Sequence, residues 1–410
     1  MRILHLVQQY WPFHCGSARY FQLLSEHLAA RGHEVRVFTT DALENDYFED
    51  PTKRRARRNV ELHRGVTIRR FRTRHLPKKA RNRLHDLTPF RWTKHLFYLP
   101  VVPGLLRTSL RRHDVDLVHA GVLPYGILLY AARGIARRSR APLVITPCLH
   151  TGEPGDDFIL RVHSDPYQIE ILRRADLVLA LTEGEKRALI SLGVPAARVE
   201  VIGFGISPRE IAGGRADRFR QMHNVAGPLV VFLGTRCYDK GTVHLVQASE
   251  LLWRKGREFT LVLAGASANR DFTDFYARVP DETKSRIIVR HDIPEEEKRD
   301  LLDAATVFAM PSRNDAFGIV FLEAWAYRTP VIGAWASGTP DVISDGRDGL
   351  LVPFGDTEAL AGKIALLLDD PALAARLGDA GHAAFMTRFT SDRKFAAIER
   401  AYERLVSKRR

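Results

Sequence analysis

The stretch Pro311-Ser312-Arg313-Asn314-Asp315-Ala316-Phe317-Gly318-Ile319-Val320-Phe321-Leu322-Glu323 decides how the chain is read. An apolar run, Thr306-Val307-Phe308-Ala309-Met310, ends at its proline. A second run, Ile319 to Ala326, begins after Phe317-Gly318 and carries Glu323 within it. That order predicts a buried parallel strand, a tight loop and the start of a helix. The first N–H groups of a helix have no partner in the turn and carry part of its dipole, so a glycine-fed start suits a phosphate. Glu323 falls about one turn into the helix, where a carboxylate accepts from sugar hydroxyls. Asp315 stands eight positions earlier, in the loop. Two acids around an anion site make chemical sense when the ligand is a phosphate with sugars on both sides.

Beyond this stretch, Thr329-Pro330-Val331-Ile332-Gly333 reads as the next buried strand, and Ser337-Gly338-Thr339-Pro340-Asp341 as a second small-residue loop. Asp345-Gly346-Arg347-Asp348-Gly349-Leu350-Leu351-Val352 follows. The whole string resembles the retaining glycosyltransferases of the GT-B fold, family 4 type (glycosyl transferases group 1), grouped with sucrose synthase and bacterial mannosyl- and glucosyltransferases. Their E-x7-E element corresponds to D-x7-E here, Asp315 to Glu323, and their small-residue loop ending in P-E to Pro340-Asp341. The likeness covers most of the chain and is sharpest over residues 306–352. It implies an α/β protein of two Rossmann-like doubly wound domains facing a central cleft. Residues 1–205 would form the acceptor side, 206–385 would bind a nucleotide-sugar, and a helix within 386–410 would cross back to the first domain. Arg209 to Gly227, with Gly213-Gly214, reads as the interdomain connection.

The resemblance also implies a reaction: a hexosyl unit passes from a nucleotide-diphosphate sugar to an acceptor hydroxyl with retention of configuration. The donor is a co-substrate, so no cofactor is expected, and no metal is expected when two cations and a helix end meet the diphosphate. A nucleotide-sugar epimerase or a catalytically silent relative would share the fold and phosphate site. The epimerase would need acid and base groups poised on the sugar carbon.

The loop Thr235-Arg236-Cys237-Tyr238-Asp239-Lys240-Gly241 follows the apolar strand Leu229 to Gly234. The family's pattern is G-R-x4-K-G. Lys240 and Gly241 fit it, Thr235 takes the arginine's place, and Arg236 follows, long enough to reach a phosphate from there. By resemblance, Lys240 and Arg236 neutralise the leaving diphosphate together with the N–H groups near Gly318, Ile319 and Val320. Asp315 would hold donor-sugar hydroxyls, Glu323 the ribose, and Gly234, Thr235 and Phe317 would line the donor. Gly16, after the first strand Arg2 to Val7, lets backbone approach the donor phosphates or the acceptor. A G-x-G-x-x-G fingerprint is absent there, which weighs against a nicotinamide enzyme. His119 ends the strand Asp116 to Ala120, like the family's D-x-x-H. Pro147-Cys148-Leu149-His150 resembles the T-x-H loop whose histidine touches the donor sugar. Without a gap Cys148 occupies that position, and His150, two residues on, is the other candidate. The Asp114-Val115-Asp116 triplet opens a strand instead of lying in a sugar loop, and is read as chance.

Bulk properties narrow the class. At 410 residues, 45% hydrophobic and 27% charged, the chain suits two soluble globular domains. Residues 51–112 hold 19 Lys or Arg against two acids, about +17. The other residues, with 43 bases and 46 acids, sum to about −3, so the formal +14 is local. Phe90, Trp92, Phe97, Tyr98 and Leu99 interleave that charge. Basic residues beside aromatic and aliphatic ones suit an anionic membrane surface. A solvated basic face and a nucleic-acid surface compete with this reading. The membrane is preferred because no RNA- or DNA-binding motif accompanies the charge and many relatives glycosylate lipid-linked acceptors. A glycan or lipid-linked acceptor, an anionic membrane and no nucleic acid are therefore the expected partners. The opening apolar run is only strand-length, and Leu96 to Leu106 spans half a bilayer with two prolines. Cys15, Cys148 and Cys237 lack C-x-x-C spacing, which favours reduced structural thiols over a Cys/His metal cluster. The expected location is the cytoplasm, peripheral at the inner face of the membrane.

Overall fold

The computed structural model describes residues 1–13, 16–48, 50–75, 101–265 and 268–409. Its contacts divide the chain into two units. The N-terminal unit comprises Met1–Leu149, Leu160–Gly203 and Lys394–Arg410, and the C-terminal unit His150–Ile159 with Phe204–Arg393. The longest continuous run of the C-terminal unit begins at Phe204. The returning C-terminal segment is the helix Ser391–Ser407, beginning later than 386 because Pro371–Arg388 forms a helix of its own.

Among the described residues the N-terminal unit holds an eight-stranded sheet. Its strands are β1 (Arg2–Leu6), β2 (Glu34–Thr40), β3 (Val60–His63), β4 (Val66–Phe71), β5 (Leu117–Ala120), β6 (Leu143–Ile145), β7 (Leu177–Ala180) and β8 (Val199–Val201). They lie in the order β3-β4-β2-β1-β5-β6-β7-β8. All pairs are parallel except β3 with β4. Strands β6 and β7 are apolar throughout, as expected of strands covered on both faces, whereas β1 and β5 each bury one histidine, His5 and His119. Helix Gly126–Ser139 buries Leu128, Leu129, Ala132, Ile135 and Ala136 in the same core as Val118 and Ala120. Helix Ser391–Ser407 closes the unit with Phe395, Ile398, Ala401 and Tyr402, each at most 1% exposed, at the i, i+3, i+6 and i+7 positions of one helix face.

The C-terminal unit holds a six-stranded, all-parallel sheet among its described residues. Its strands are β9 (Leu229–Leu233), β10 (Thr260–Gly265), β11 (Ile287–His291), β12 (Val307–Ala309), β13 (Val331–Ala334) and β14 (Leu350–Val352), ordered β11-β10-β9-β12-β13-β14. Counted from its own first strand this is 3-2-1-4-5-6, the doubly wound order whose direction reverses between β9 and β12. Ligands of such sheets bind outside the carboxyl ends of the strands at that reversal.

Two expectations change. Arg209 to Gly227 is not a loose connection. It forms helices Pro208–Ile211 and Ala216–His223 inside the C-terminal unit, fastened by Arg218 to Asp300 and by the N–H of Gly214 to the Tyr327 hydroxyl. Within the basic segment, residues 60–71 form β3 and β4, and Arg70 is buried, donating to the carbonyl of Trp11 and paired with Glu61. Residues 76–100, which carry Phe90, Trp92, Phe97, Tyr98 and Leu99, lie outside the described residues. Among the described residues no helix is long and apolar enough to cross a membrane.

Candidate active site

The loops after β9 and β12 meet at the reversal point of the C-terminal sheet. Gly241 ends the first loop at φ 74° and opens helix Thr242–Arg254. A Cβ there would lie 2.2 Å from the carbonyl oxygen of Pro311, so only glycine lets the two loops close up. The N–H of Arg313 donates to the carbonyl of Asp239 at 2.9 Å, adding a backbone bond between them. Lys240 reaches across from one loop to the other. Its Nζ donates to Asp315 Oδ2 at 2.6 Å and to the carbonyl of Asn314 at 2.9 Å.

Asp315 accepts from the N–H of Gly318 through its other oxygen, at 2.9 Å. Gly318, at φ 81°, caps helix Ile319–Ala326, whose first N–H groups, on Ile319 and Val320, have no partner within the turn. Burial pushes the Asp315 carboxyl up, but the Lys240 charge, the His150 charge and the Gly318 N–H outweigh it and hold it below the ordinary carboxylate value. It is therefore an anion at neutral pH. Lys240 and Asp315 keep 24% and 20% of their side-chain surface exposed, so a ligand can reach both.

One turn into that helix, Glu323 is ion-paired with Lys298 at 3.0 Å, and Lys298 also pairs with Glu295 at 2.9 Å. Arg313 donates to Asp239 at 2.8 Å and to Glu153 at 3.2 Å. Its guanidinium lies 5.3 and 5.0 Å from the centroids of Tyr238 and Phe354. Residues 150–159 are part of this unit. The N–H of Gly152 donates to Ser337 Oγ, and Ser337 returns its own N–H to the Gly152 carbonyl. This places His150 close enough to act on the charge of Asp315, whereas Cys148 precedes the segment, half-buried at φ 50°.

The structure thus brings Lys240, Asp315, Gly318 and His150 together, with Ile319, Val320 and Glu323 on the same helix. Three other sequence candidates lie elsewhere in their surroundings. Arg236 is fully buried and turns into the sheet. It donates to the carbonyls of Gly265 and Arg290 at 3.2 and 3.0 Å and bonds His291 Nδ1 at 2.7 Å. It ties the carboxyl ends of β10 and β11 together, and drawing it out to a phosphate would leave those acceptors unpaired. His119 is also fully buried, with Nδ1 bonded to the Tyr402 hydroxyl and Nε2 to Thr146 Oγ1 at 2.8 Å, so both ring nitrogens are engaged in the N-terminal core. The Phe317 ring packs between Phe204 and Phe389, leaving only its backbone to face a ligand. Gly234 and Thr235 follow β9 and are half-buried, and Gly16 is exposed at the first position of helix Gly16–Ala30.

Comparison with known proteins agrees with this architecture. The family model for glycosyl transferases group 1 matches residues 215–383, and that for the glycosyl transferase 4-like domain matches residues 15–205. The D-inositol 3-phosphate glycosyltransferase of Xylanimonas cellulosilytica is 31% identical over 326 residues, 75% of this chain and 76% of the relative. The GDP-mannose-dependent alpha-(1-6)-phosphatidylinositol monomannoside mannosyltransferase of Mycolicibacterium smegmatis is 27% identical over 299 residues, 69% of this chain and 75% of the relative. Among solved structures, sucrose-phosphate synthase from Thermosynechococcus elongatus superposes with TM-score 0.74 at 21% identity, over the whole of both chains. HepE of Anabaena, crystallised with UDP, gives TM-score 0.73 at 19% identity, covering 99% of this chain and all of its own. The two parallel α/β units and these likenesses define a GT-B fold. The chain belongs to the glycosyl transferases group 1, enzymes that transfer sugars.

Proposed function

We propose that this enzyme moves a hexosyl unit from a nucleoside-diphosphate sugar to an acceptor hydroxyl, with retention of configuration and without a metal ion. One observation carries the reading: Lys240, the Asp315 carboxylate and the Gly318 N–H form one connected cluster at the reversal point of the C-terminal sheet. A diphosphate placed there meets an ammonium and the open N–H groups of a helix end, fixed charges aimed where negative charge grows as the donor bond breaks. Without ligand, the Asp315 carboxylate occupies both Lys240 and the Gly318 N–H. Donor binding therefore replaces one anion by another on Lys240 and turns Asp315 toward the sugar hydroxyls. Glu323, held by Lys298, accepts from the ribose hydroxyls, and His150 lies beside the sugar.

Once turned from Lys240, Asp315 binds sugar hydroxyls, and no second carboxylate among the sequence candidates is paired with it to serve as acid and base. This favours a front-face path in which the departing phosphate takes the acceptor's proton, instead of the two-carboxylate scheme of glycosidases. The names of the two relatives, both phosphoinositol-type acceptors, support an acceptor that bears a phosphate or a lipid, on a lipid-linked or cell-envelope glycan. The basic segment 51–112 supports work at an anionic membrane surface on the cytoplasmic side.

A thermal-shift screen with UDP-, GDP- and ADP-sugars identifies the donor, because a ligand of the native state raises its stability by mass action. Proton NMR of the product in the presence of a chelator then reads configuration and metal need together. An inverted anomer, or activity abolished by the chelator and restored by a divalent ion, overturns the corresponding part. Asp315→Ala and Lys240→Ala are each expected to depress both donor hydrolysis and transfer. Unchanged kcat/KM in both removes the assignment.

A further inference from the structure

The N-terminal unit contains a cavity of about 780 Å³ whose walls are strongly basic. It lies on one face of the sheet edge, where Phe38 of β2, Arg69 of β4 and Val60 of β3 stand in register across three strands. Neighbours in register share a face of the sheet, so these side chains form one continuous surface. Val60 is 60% exposed, so the apolar floor of this surface is not closed over at its edge.

Six arginines line the cavity, against Asp41 as the one acid among the lining residues. Three arginines are already committed. Arg36 is ion-paired with Glu34, Arg70 with Glu61, and Arg55 stands 3.8 Å from Asp41. Asp41 also accepts from the N–H of Thr73 and the Tyr47 hydroxyl. The other three, Arg57, Arg69 and Arg72, have no carboxylate at ion-pair distance among the described residues. Arg69 is held in place over the rings of Phe38 and Phe71, 5.9 and 5.1 Å from their centroids. A planar guanidinium fixed on aromatic faces keeps its N–H fork free for a bidentate acceptor.

We propose that this cavity is a phosphate-ester site, separate from the donor site of the C-terminal unit. Its volume lies within the range of small-ligand pockets. Its three uncommitted guanidiniums match a group of about two negative charges, as a phosphomonoester carries near neutral pH. The apolar floor beside them suits a phosphate joined to a carbon skeleton better than a bare ion. Two sources carry that chemistry: a lipid headgroup at a membrane, and a soluble phosphate ester. The proposal gives the membrane part of the functional reading a defined pocket, but it does not depend on sugar transfer.

The test compares the full-length protein with two charge-matched variants. One carries Arg57→Gln, Arg69→Gln and Arg72→Gln. The control carries Lys53→Gln, Arg58→Gln and Arg74→Gln, from the same stretch but outside the cavity. Binding is measured by flotation with phosphatidylcholine vesicles, with and without phosphatidic acid, whose headgroup is a phosphomonoester, and by calorimetry with glycerol 3-phosphate. All six side chains are exposed, so thermal unfolding is expected to stay near the wild type in both variants. The expected result is at least about a tenfold loss of affinity in the cavity variant for whichever source binds, with the control within about twofold. Binding to anionic vesicles alone assigns the lipid source, and binding to glycerol 3-phosphate assigns a soluble ester. Equal losses in both variants, or no binding of either probe by the wild type, overturn the site. Vesicle binding that survives the cavity substitutions also overturns it, yet leaves membrane association standing, so the two readings fail separately. Capture of single-stranded RNA more tightly than either phosphate source overturns it in favour of a nucleic-acid surface.

Discussion

The two units treat polar residues near the carboxyl ends of their strands in opposite ways. In the N-terminal unit His5 and His119 sit inside β1 and β5, fully buried; His5 bonds Ser25, His119 bonds Thr146, and both meet the Tyr402 hydroxyl. Burial drives the His5 imidazole down to about 3 and His119 well below its ordinary value, so both are neutral. In the C-terminal unit Lys240 and Asp315 lie beyond β9 and β12 in glycine-fed loops, partly exposed and charged. The shifts of His5, His119 and Asp315 all run downward, but a lowered value leaves an imidazole neutral and a carboxyl ionised. A titratable group inside a parallel strand is stripped of water and must find neutral partners. A few residues past the strand end it keeps solvent and charge, and becomes available to a ligand.

That contrast breaks most directly at Lys240. Lys240→Ala is expected to lower kcat/KM for transfer by about 10²–10³, the scale of losing one fixed electrostatic donor, with little change in unfolding midpoint. Transfer within about threefold of wild type would remove the C-terminal loops as the reactive end.

The buried histidines are the converse test. Because the folded-state value of His5 lies below that of the unfolded chain, its stabilisation is complete above about pH 6.5 and is lost as pH falls toward 3. Urea titrations at pH 6.5 and 4.5 are expected to show an acid loss about 2 kcal/mol smaller in His5→Gln than in wild type. An identical acid loss in both would mean that His5 is not held neutral. Tyr402→Phe strips His119 Nδ1 of its partner and is expected to cost about 2 kcal/mol of stability while leaving kcat/KM unchanged. A fall in kcat/KM at unchanged stability would instead return His119 to the donor site. The smallest effect is two residues further along the same helix. Arg404 pairs with Glu200 at 2.7 Å in the open, both about half-exposed, and Arg404→Ala should change stability by less than about 1 kcal/mol.

The strands and the two loops were legible because their signals are local. Apolar runs end in proline or glycine, and Lys240-Gly241 and Asp315 with Gly318 lie within a few residues of a strand end. The direction of a side chain is not a local property. Arg236 and Lys240 share a loop, but Arg236 finds carbonyls of β10 and β11 behind it, 29 and 54 positions away, and stays buried. Arg313 stood in the quoted stretch itself without a role, because Asp239 and Glu153, 74 and 160 positions earlier, give it one. Lys298 carried no signal either. It reads as one base in an acidic helix until the fold sets it against Glu323, 25 positions on. β3 and β4 were hidden in a run of arginines because one of them, Arg70, takes a core position that pattern reading reserves for apolar residues.

The ten residues from His150 to Ile159 have a practical consequence for anyone dividing the molecule. The polypeptide enters the C-terminal unit at His150, leaves after Ile159, and enters it again at Phe204. A fragment expressed from Phe204 to Arg393 therefore lacks the partners of Arg313 and Ser337 contributed by Glu153 and Gly152. Its lysine and aspartate loops would be present but missing a side wall. Weak nucleotide binding by such a fragment would measure that missing wall, not the worth of the pocket.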